Sequence, residues 1–111
     1  MRTMAKAVFV QKGENIDYTA TGDIEYMEIV PLVSRVGVAL EAIADGKTGT
    51  VSLTGVYEMP AATSLAINVG DEVYWDNVNN VINKTKTGNI PAGIAVAEKA
   101  AAGTSVLVRI G

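Results

Sequence analysis

The chain has 111 residues, a formal net charge of −3, and neither cysteine nor histidine. This length corresponds to one domain, and the composition excludes a disulfide framework, a thiolate metal site and the imidazole that most often serves as general base or metal ligand. Aromatic residues make up only 5% of a chain that is 49% hydrophobic, so Val, Ala and Ile are expected to form the core. No apolar run reaches the length of a membrane span, and no signal-peptide pattern is visible.

The chain begins with a basic segment. Residues 1–13 contain Arg2, Lys6 and Lys12 and no acidic residue, whereas the remainder contains twelve acidic and six basic residues. A basic, extended start on an acidic body predicts an arm that docks on an acidic partner. An ordinary frayed terminus is the alternative interpretation.

A short apolar run lies within this arm. Val8, Phe9 and Val10 are predicted to form a strand that adds to an exposed sheet edge of the partner. In the alternative interpretation, the same residues pair within the chain's own sheet.

The body of the chain, residues 14–111, reads as a series of short strands separated by Gly, Pro and Asn turns. Pro31 and Pro60 each end a strand or mark an edge, because proline cannot donate to a ladder. One short helix is predicted near residues 61–66, and Asn79-Asn80 is predicted to form a hairpin tip. The predicted strands are 16–20, 24–30, 33–40, 50–59, 73–76, 81–85, 90–97 and 105–110. About nine short strands at this spacing predict an all-β fold, a small barrel or sandwich.

The only tryptophan lies in the strand that follows Gly70-Asp71. Strand alternation places Val73 and Trp75 on one face and Tyr74 and Asp76 on the other. Trp75 is therefore predicted to be a core residue without a ligand role.

Parts of the sequence occur twice. Gly22-Asp23-Ile24-Glu25-Tyr26 has the same Gly-Asp-x-x-Tyr form as residues 70–74, and Gly37-Val38-Ala39 is matched by Gly93-Ile94-Ala95. The repeated order predicts an internal duplication of residues 22–59 and 70–110. A chance echo in a glycine-rich chain is the alternative interpretation.

Motifs for catalysis are missing from the sequence. The spaced glycines Gly46 and Gly49 lack the Lys-Ser/Thr pair of a phosphate-binding loop, and a Ser/His/Asp set needs a histidine. Asp71, Glu72 and Asp76 lack calcium-loop spacing and are interpreted as solvated turn acids. The sequence thus predicts no enzyme, no catalytic, cofactor-binding or metal site, and no binding of nucleic acid, since the body is acidic.

The order and spacing of several short motifs resemble the capsid cement (decoration) proteins of tailed bacteriophages, a family long catalogued as a domain of unknown function. The resemblance covers residues 5–110, and Met1-Arg2-Thr3 precede a second Met-Ala-Lys that looks like the usual start of the family. The motifs are Phe9-Val10-Gln11-x-Gly13, Asp17-Tyr18-Thr19-Ala20, Gly37-Val38-Ala39, Gly46-x-x-Gly49, Val56-Tyr57-Glu58-Met59-Pro60, Val73-Tyr74-Trp75-Asp76 and Gly93-Ile94-Ala95.

This resemblance implies a structural virion protein with a β-clip-like fold, made in the cytoplasm of the bacterial host. Such proteins sit as trimers on the outside of the expanded head and clamp neighbouring capsomers, so the implied partner is the major capsid protein. The arm residues above are then the capsid-binding candidates, and apolar contacts between subunits are expected at Tyr57, Met59 and Tyr74. A small-ligand-binding β-clip module of a larger assembly is the alternative function.

Overall fold

The computed structural model describes residues 5–111, which form nine β-strands and no helix. Met1 to Met4, including the predicted contact residue Arg2, lie outside the described residues. No helix in the described part of the chain is long and apolar enough to cross a membrane. The strands are β1 (Asn15–Thr19), β2 (Ile29–Pro31), β3 (Val36–Ala39), β4 (Thr48–Ser52), β5 (Gly55–Pro60), β6 (Glu72–Asp76), β7 (Val81–Asn83), β8 (Ile90–Ala95) and β9 (Ser105–Ile110).

The nine strands form two antiparallel sheets. The first has the order β1-β4-β3-β2, and the second has the order β5-β9-β8-β6-β7. A single parallel bridge between Ala61 and Ile82 links the segment after β5 to β7. The predicted all-β fold is confirmed, and its form is sandwich-like rather than a closed barrel.

The two sheets share one connection pattern, which divides the body into a first unit (residues 14–54) and a second unit (residues 55–111). Replacing β1, β4, β3 and β2 by β5, β9, β8 and β6 converts one strand order into the other, and β7 is the only addition. Backbone bonds outside the strands match as well. Ile24 and Ile43 exchange two hydrogen bonds in the first unit, and Ile67 and Lys99 do so in the second.

The register of this correspondence differs from the one predicted from the sequence. Met27 N–H donates to Ala39 O and Gly70 N–H donates to Ala95 O, so Met27 rather than Gly22 is the counterpart of Gly70. Both residues have positive φ, 67° and 90° respectively. The predicted sequence match between Gly37–Ala39 and Gly93–Ala95 does fall on equivalent strands, β3 and β8. Duplication of residues 22–59 and 70–110 remains a prediction.

Predicted strand 50–59 is wrong as a single element. It is divided between β4 and β5, which belong to different sheets. At the division the Ser52 hydroxyl donates to Thr54 O at 2.8 Å, and Gly55 takes a φ of 118°. These local features turn the chain from one sheet to the other.

The short helix predicted near 61–66 is also not formed, and the alternative pairing of Val8–Val10 within the chain's own sheet is not seen. The Leu65 N–H, which would donate to Ala61 O in a helix, donates to Ala101 O instead. An amide bonded to a distant carbonyl cannot close a helical turn, so tertiary pairing replaces the helix.

The hydrophobic core has two parts. The larger cluster lies mainly within the second unit and contains Trp75, Ile82 and Met59, together with Val36 and Val38 from β3. The smaller cluster contains Ala20, Val30, Ala39, Ile43 and Val51 on the opposite side of β3. Strand β3 is therefore buried on both faces and joins the two units.

Candidate functional surfaces

The arm is the most exposed apolar segment among the described residues. Val8, Phe9 and Val10 are 85%, 83% and 84% exposed, and residues 5–14 form no strand. Lys6 and Lys12 on either side of them are exposed as well. A run of three uncovered apolar side chains between two cations is suited to contact another molecule.

The three predicted interface residues do not lie on one surface. Tyr57 and Met59 point to the inner side of β5, where Tyr57 packs against the larger core cluster. Met59 is only 1% exposed, so its side chain is not available to a second subunit in this fold. Tyr74 lies on the opposite side of the sheet, as alternation predicted.

The outer face of the second sheet also exposes apolar side chains. Val56, Arg109, Ile94 and Glu72 form one cross-strand row there, since each is paired with the next in the sheet register. Val56 is 54% exposed, and Leu107 on the same face is 38% exposed. Apolar side chains thus alternate with charges of both signs on this face.

Tyr74 lies at the bottom of a cleft of about 340 Å³ on this face, which Lys86, Pro91 and Ile94 also line. Its hydroxyl donates to Glu72 Oε2 at 3.3 Å. Burial raises the pKa of the Tyr74 hydroxyl, and the adjacent Glu72 carboxylate raises it further. The hydroxyl therefore remains protonated and serves as a hydrogen-bond donor.

A second open region surrounds β2, the edge strand of the first sheet. A cleft of about 540 Å³ lies on one side of it, between Ile29, Pro31, Pro60 and Trp75. A cleft of about 260 Å³ lies on the other side, lined by Tyr18, residues 21–24, Glu28, Val30 and Pro31. Pro31 correctly indicated an edge strand, but the sequence did not indicate the two clefts.

The two units differ in charge. Residues 14–54 contain seven acidic and two basic residues, whereas residues 55–111 contain five acidic and four basic residues. Two carboxylates beside the smaller cleft are held in place by backbone amides: Asp23 Oδ1 accepts from Asp45 N–H at 2.9 Å, and Glu28 Oε1 accepts from Glu25 N–H at 3.2 Å. The region around β2 is thus acidic, with sign opposite to that of the arm.

The acids of the Trp75 strand act as turn-stabilising groups. Asp71 accepts from Asn68 N–H at 2.8 Å, and Asp76 accepts from Val78 N–H and Asn79 N–H at 2.9 and 3.1 Å. These backbone hydrogen bonds hold the pKa of both carboxyls below the usual value, and Lys84 contributes at Asp71. Within residues 5–111, no group of three acidic side chains is arranged to hold a metal ion.

Lys99 was not singled out by the sequence, yet it is the only lysine among the buried residues of the described chain. It is 5% exposed, and its Nζ donates to the carbonyl oxygens of Leu65, Ala100 and Ala101 at 2.6, 3.1 and 3.4 Å. Its counterpart in the first unit is the apolar Ile43. The Lys99 ammonium thus fastens two loops of the second unit together.

Comparison with known proteins adds one positive finding. Searches among curated proteins and among solved structures gave no significant match. The model of the phage cement protein family matches residues 10–110, nearly all of the body and the last residues of the arm. This match agrees with the resemblance noted in the sequence and with the all-β fold. The chain therefore belongs to the phage cement protein family, whose name indicates a structural role in the virion and association with the capsid.

Proposed function

We propose that this protein binds the outer surface of the phage head as a trimer and stabilises the capsid lattice by contact with the major capsid protein. The observation that carries the proposal is the exposed, basic and apolar arm on an acidic β body of the cement family. No catalytic step is involved. The protein is made in the host cytoplasm and joins the head from outside.

Stabilisation follows from mass action. A partner that binds the assembled lattice and not the dissociated capsomers stabilises the lattice by RT ln(1 + [L]/Kd) at every occupied site. The same small gain, repeated over many sites, raises the resistance of the whole head to disruption.

The trimer forms through the outer face of the second sheet, with the exposed Val56 and Leu107 in contact, and Tyr74, 9% exposed, meets the neighbour only at the opening of its cleft. In the first unit the equivalent face is covered, because Val36 and Val38 of β3 pack into the larger core. In the second unit this face stays uncovered in the single chain. Closed threefold symmetry lets the face of each subunit meet a different surface of its neighbour without open-ended assembly.

The arm makes the first contact with the capsid. Its cations Arg2, Lys6 and Lys12 accelerate the encounter with an acidic lattice that would repel the body. The apolar residues Val8, Phe9 and Val10 become ordered on the assembled particle by adding to an exposed strand edge.

The test uses heads that lack this protein, incubated with the wild-type chain or with a chain missing residues 2–11. Wild type is expected to co-sediment with heads and to raise the temperature at which they break. The truncated chain is expected to bind more weakly and with less dependence on salt, because two of the three arm cations, Arg2 and Lys6, are gone. Failure of wild type to bind heads overturns the proposal.

The trimer is tested separately by light scattering on purified protein. Val56→Asp is expected to convert trimers to monomers, because it places a carboxylate in the apolar contact. Val69→Asp is the matched control, since Val69 is also an exposed valine but lies on a turn outside the proposed face. A monomeric wild type, or equal behaviour of the two variants, contradicts the interface.

A further inference from the structure

The first unit has an open strand position that the second unit fills. In the second unit, β7 lies between β6 and the segment after β5: Trp75 pairs with Ile82, and Ala62 N–H donates to Ile82 O at 2.9 Å. In the first unit the corresponding neighbours are β2 and the segment after β1, Ala20-Thr21. Ala20 is the counterpart of Ala61, since their N–H groups donate to Lys47 O and Thr104 O, which precede β4 and β9.

The cleft of about 260 Å³ occupies this position in the first unit. It is bounded by Tyr18 and Thr21 on one side and by Val30 and Pro31 on the other, the places that flank β7 in the second unit. Ile82, the middle residue of β7, is fully buried at the equivalent place. The smaller cleft therefore lies where the inward-facing side chain of an added strand would be, as Ile82 of β7 is in the second unit.

The edge of β2 can receive a short strand. Leu32 N–H donates to Arg35 O, and the register pairs Val30 with Gly37, so the backbone groups of Val30 point toward β3. Because hydrogen-bonding directions alternate along an antiparallel strand, the N–H of Ile29 and the carbonyls of Ile29 and Pro31 point away from β3, toward the open edge of the sheet. Pro31 offers no N–H, which limits pairing to a strand of a few residues.

The arm has the chemistry that this position requires. It is extended, its three central side chains are apolar and uncovered, and Lys6 and Lys12 flank them. The receiving cleft is apolar at Tyr18 and Val30 and acidic at Asp23 and Glu28. We propose that Val8–Val10 of one copy of this chain add as a fifth strand to β2 of a second copy.

The geometry of β1 favours a second copy over the same chain. The arm precedes Asn15 at one end of β1, whereas the open position lies beside Ala20-Thr21 at the other end. Five extended residues span about 17 Å, so the arm would have to fold back along its own strand to reach this position. The arm of a neighbouring copy can enter without reversing direction.

β7 also provides a template for the side chains. Phe9, as the middle residue, takes the place of Ile82 and enters the smaller cleft. Val8 and Val10 then face the cleft of about 540 Å³ on the other side of β2, beside Pro60 and Trp75. Strand addition with alternate side chains in two pockets gives both affinity and register. This exchange assigns the edge to which Val8–Val10 add to β2 of a neighbouring copy and not to a capsid strand, whereas the residues before Val8 remain free to contact the capsid protein.

Cross-linking between two single-cysteine chains tests the proposal, because the natural chain has no cysteine. Chains with Gln11→Cys are mixed with chains carrying Thr21→Cys and treated with a short bismaleimide, in solution and on heads. We expect a Gln11–Thr21 cross-link between chains. Ala62→Cys is the matched acceptor control: it is the counterpart of Thr21 beside the filled position, and we expect no cross-link there.

Phe9→Ser is expected to lower the cross-linked fraction about tenfold, because burial of one aromatic side chain is lost. Ala7→Ser, in the arm but outside the triplet, should leave the fraction unchanged. All of these positions are exposed except the half-buried Ala62, so folding is preserved.

Three results overturn the proposal. The first is equal cross-linking of Gln11 to Thr21 and to Ala62, or none in solution and on heads. The second is a cross-link in the double variant Gln11→Cys/Thr21→Cys that persists under dilution with unmodified chain, which means that each arm binds its own β2. The third is cross-linking of position 11 to the capsid protein alone, which places the arm on a capsid edge. The measurement in solution needs no head, so it is independent of whether the protein coats the capsid.

Discussion

The first and second units have the same strand connections and matching loop hydrogen bonds, but they differ in what covers them. The second unit has a fifth strand and the larger core cluster, which contains thirteen buried residues against five in the smaller one. The first unit has an uncovered edge, two flanking clefts and most of the excess negative charge. From this difference we expect the second unit to supply most of the stability and β2 of the first unit to receive a strand from another chain.

The largest loss of stability, and the strongest test of the difference between the two units, is expected from replacing the buried Trp75. Trp75→Ala should lower the free energy of unfolding by about 3–5 kcal/mol, the usual cost of removing a buried aromatic side chain. Its counterpart is Leu32, which follows Met27 by the same distance along the chain as Trp75 follows Gly70. Leu32 is only half-buried against the smaller cluster, and Leu32→Ala should cost about 1 kcal/mol. Urea unfolding followed by circular dichroism measures both. Equal losses would mean that stability is shared evenly between the units.

A smaller difference is expected at a pair of equivalent glycines in β3 and β8. A Cβ at Gly93 would overlap the backbone oxygen of Arg109, and Gly93 has a φ of 147°. A Cβ at Gly37 would overlap a side-chain atom, Val51 Cγ1, and lie 3.0 Å from Ser52 O, but Gly37 has no positive φ. Gly93→Ala should therefore destabilise more than Gly37→Ala, by about 1–3 kcal/mol of backbone strain. Thermal unfolding of the two variants tests this order, and the reverse order would refute it.

The smallest expected effect is on the loss of stability at low pH. The pKa values of Asp71 and Asp76 are lowered in the folded protein. These carboxylates therefore contribute stability at pH values above the pKa of an unfolded aspartate, about 3.9. This contribution is lost as the pH falls through their folded pKa values. Asp76→Asn keeps an acceptor for the turn amides but does not titrate, so it should reduce the loss of melting temperature between neutral pH and about pH 3. The first unit has Val33 at the equivalent position. An unchanged pH dependence would show that the Asp76 turn is not acid-sensitive.

Local signals predicted the elements whose conformation is set by nearby residues. Pro31 does lie at a sheet edge, Asn80 takes a positive φ of 56° at the predicted hairpin tip, and the strand at 105–110 has the predicted bounds. Each depends on one residue's backbone restriction or on simple alternation. Such features are visible in a single sequence.

The failures involve partners that are distant in sequence. Alternation runs unbroken from Thr50 to Met59, and it carries no information about which sheet each half joins. The helical propensity of 61–66 is overridden by amides that pair near Ala101 and Thr104. The interface candidates Met59 and Tyr74 were chosen by residue type, but only the register shows that they point to opposite faces.

The buried position of Lys99 has a use in chemical labelling. The other five lysines, at positions 6, 12, 47, 84 and 86, are exposed and should react readily with amine-directed reagents. The Lys99 amine, held by three carbonyls, is shielded until the loops at Leu65 and at Ala100-Ala101 separate. Its rate of modification therefore reports how often this region opens. A reagent that decorates the exposed amines of a coated phage head should leave the fold intact as long as Lys99 is spared.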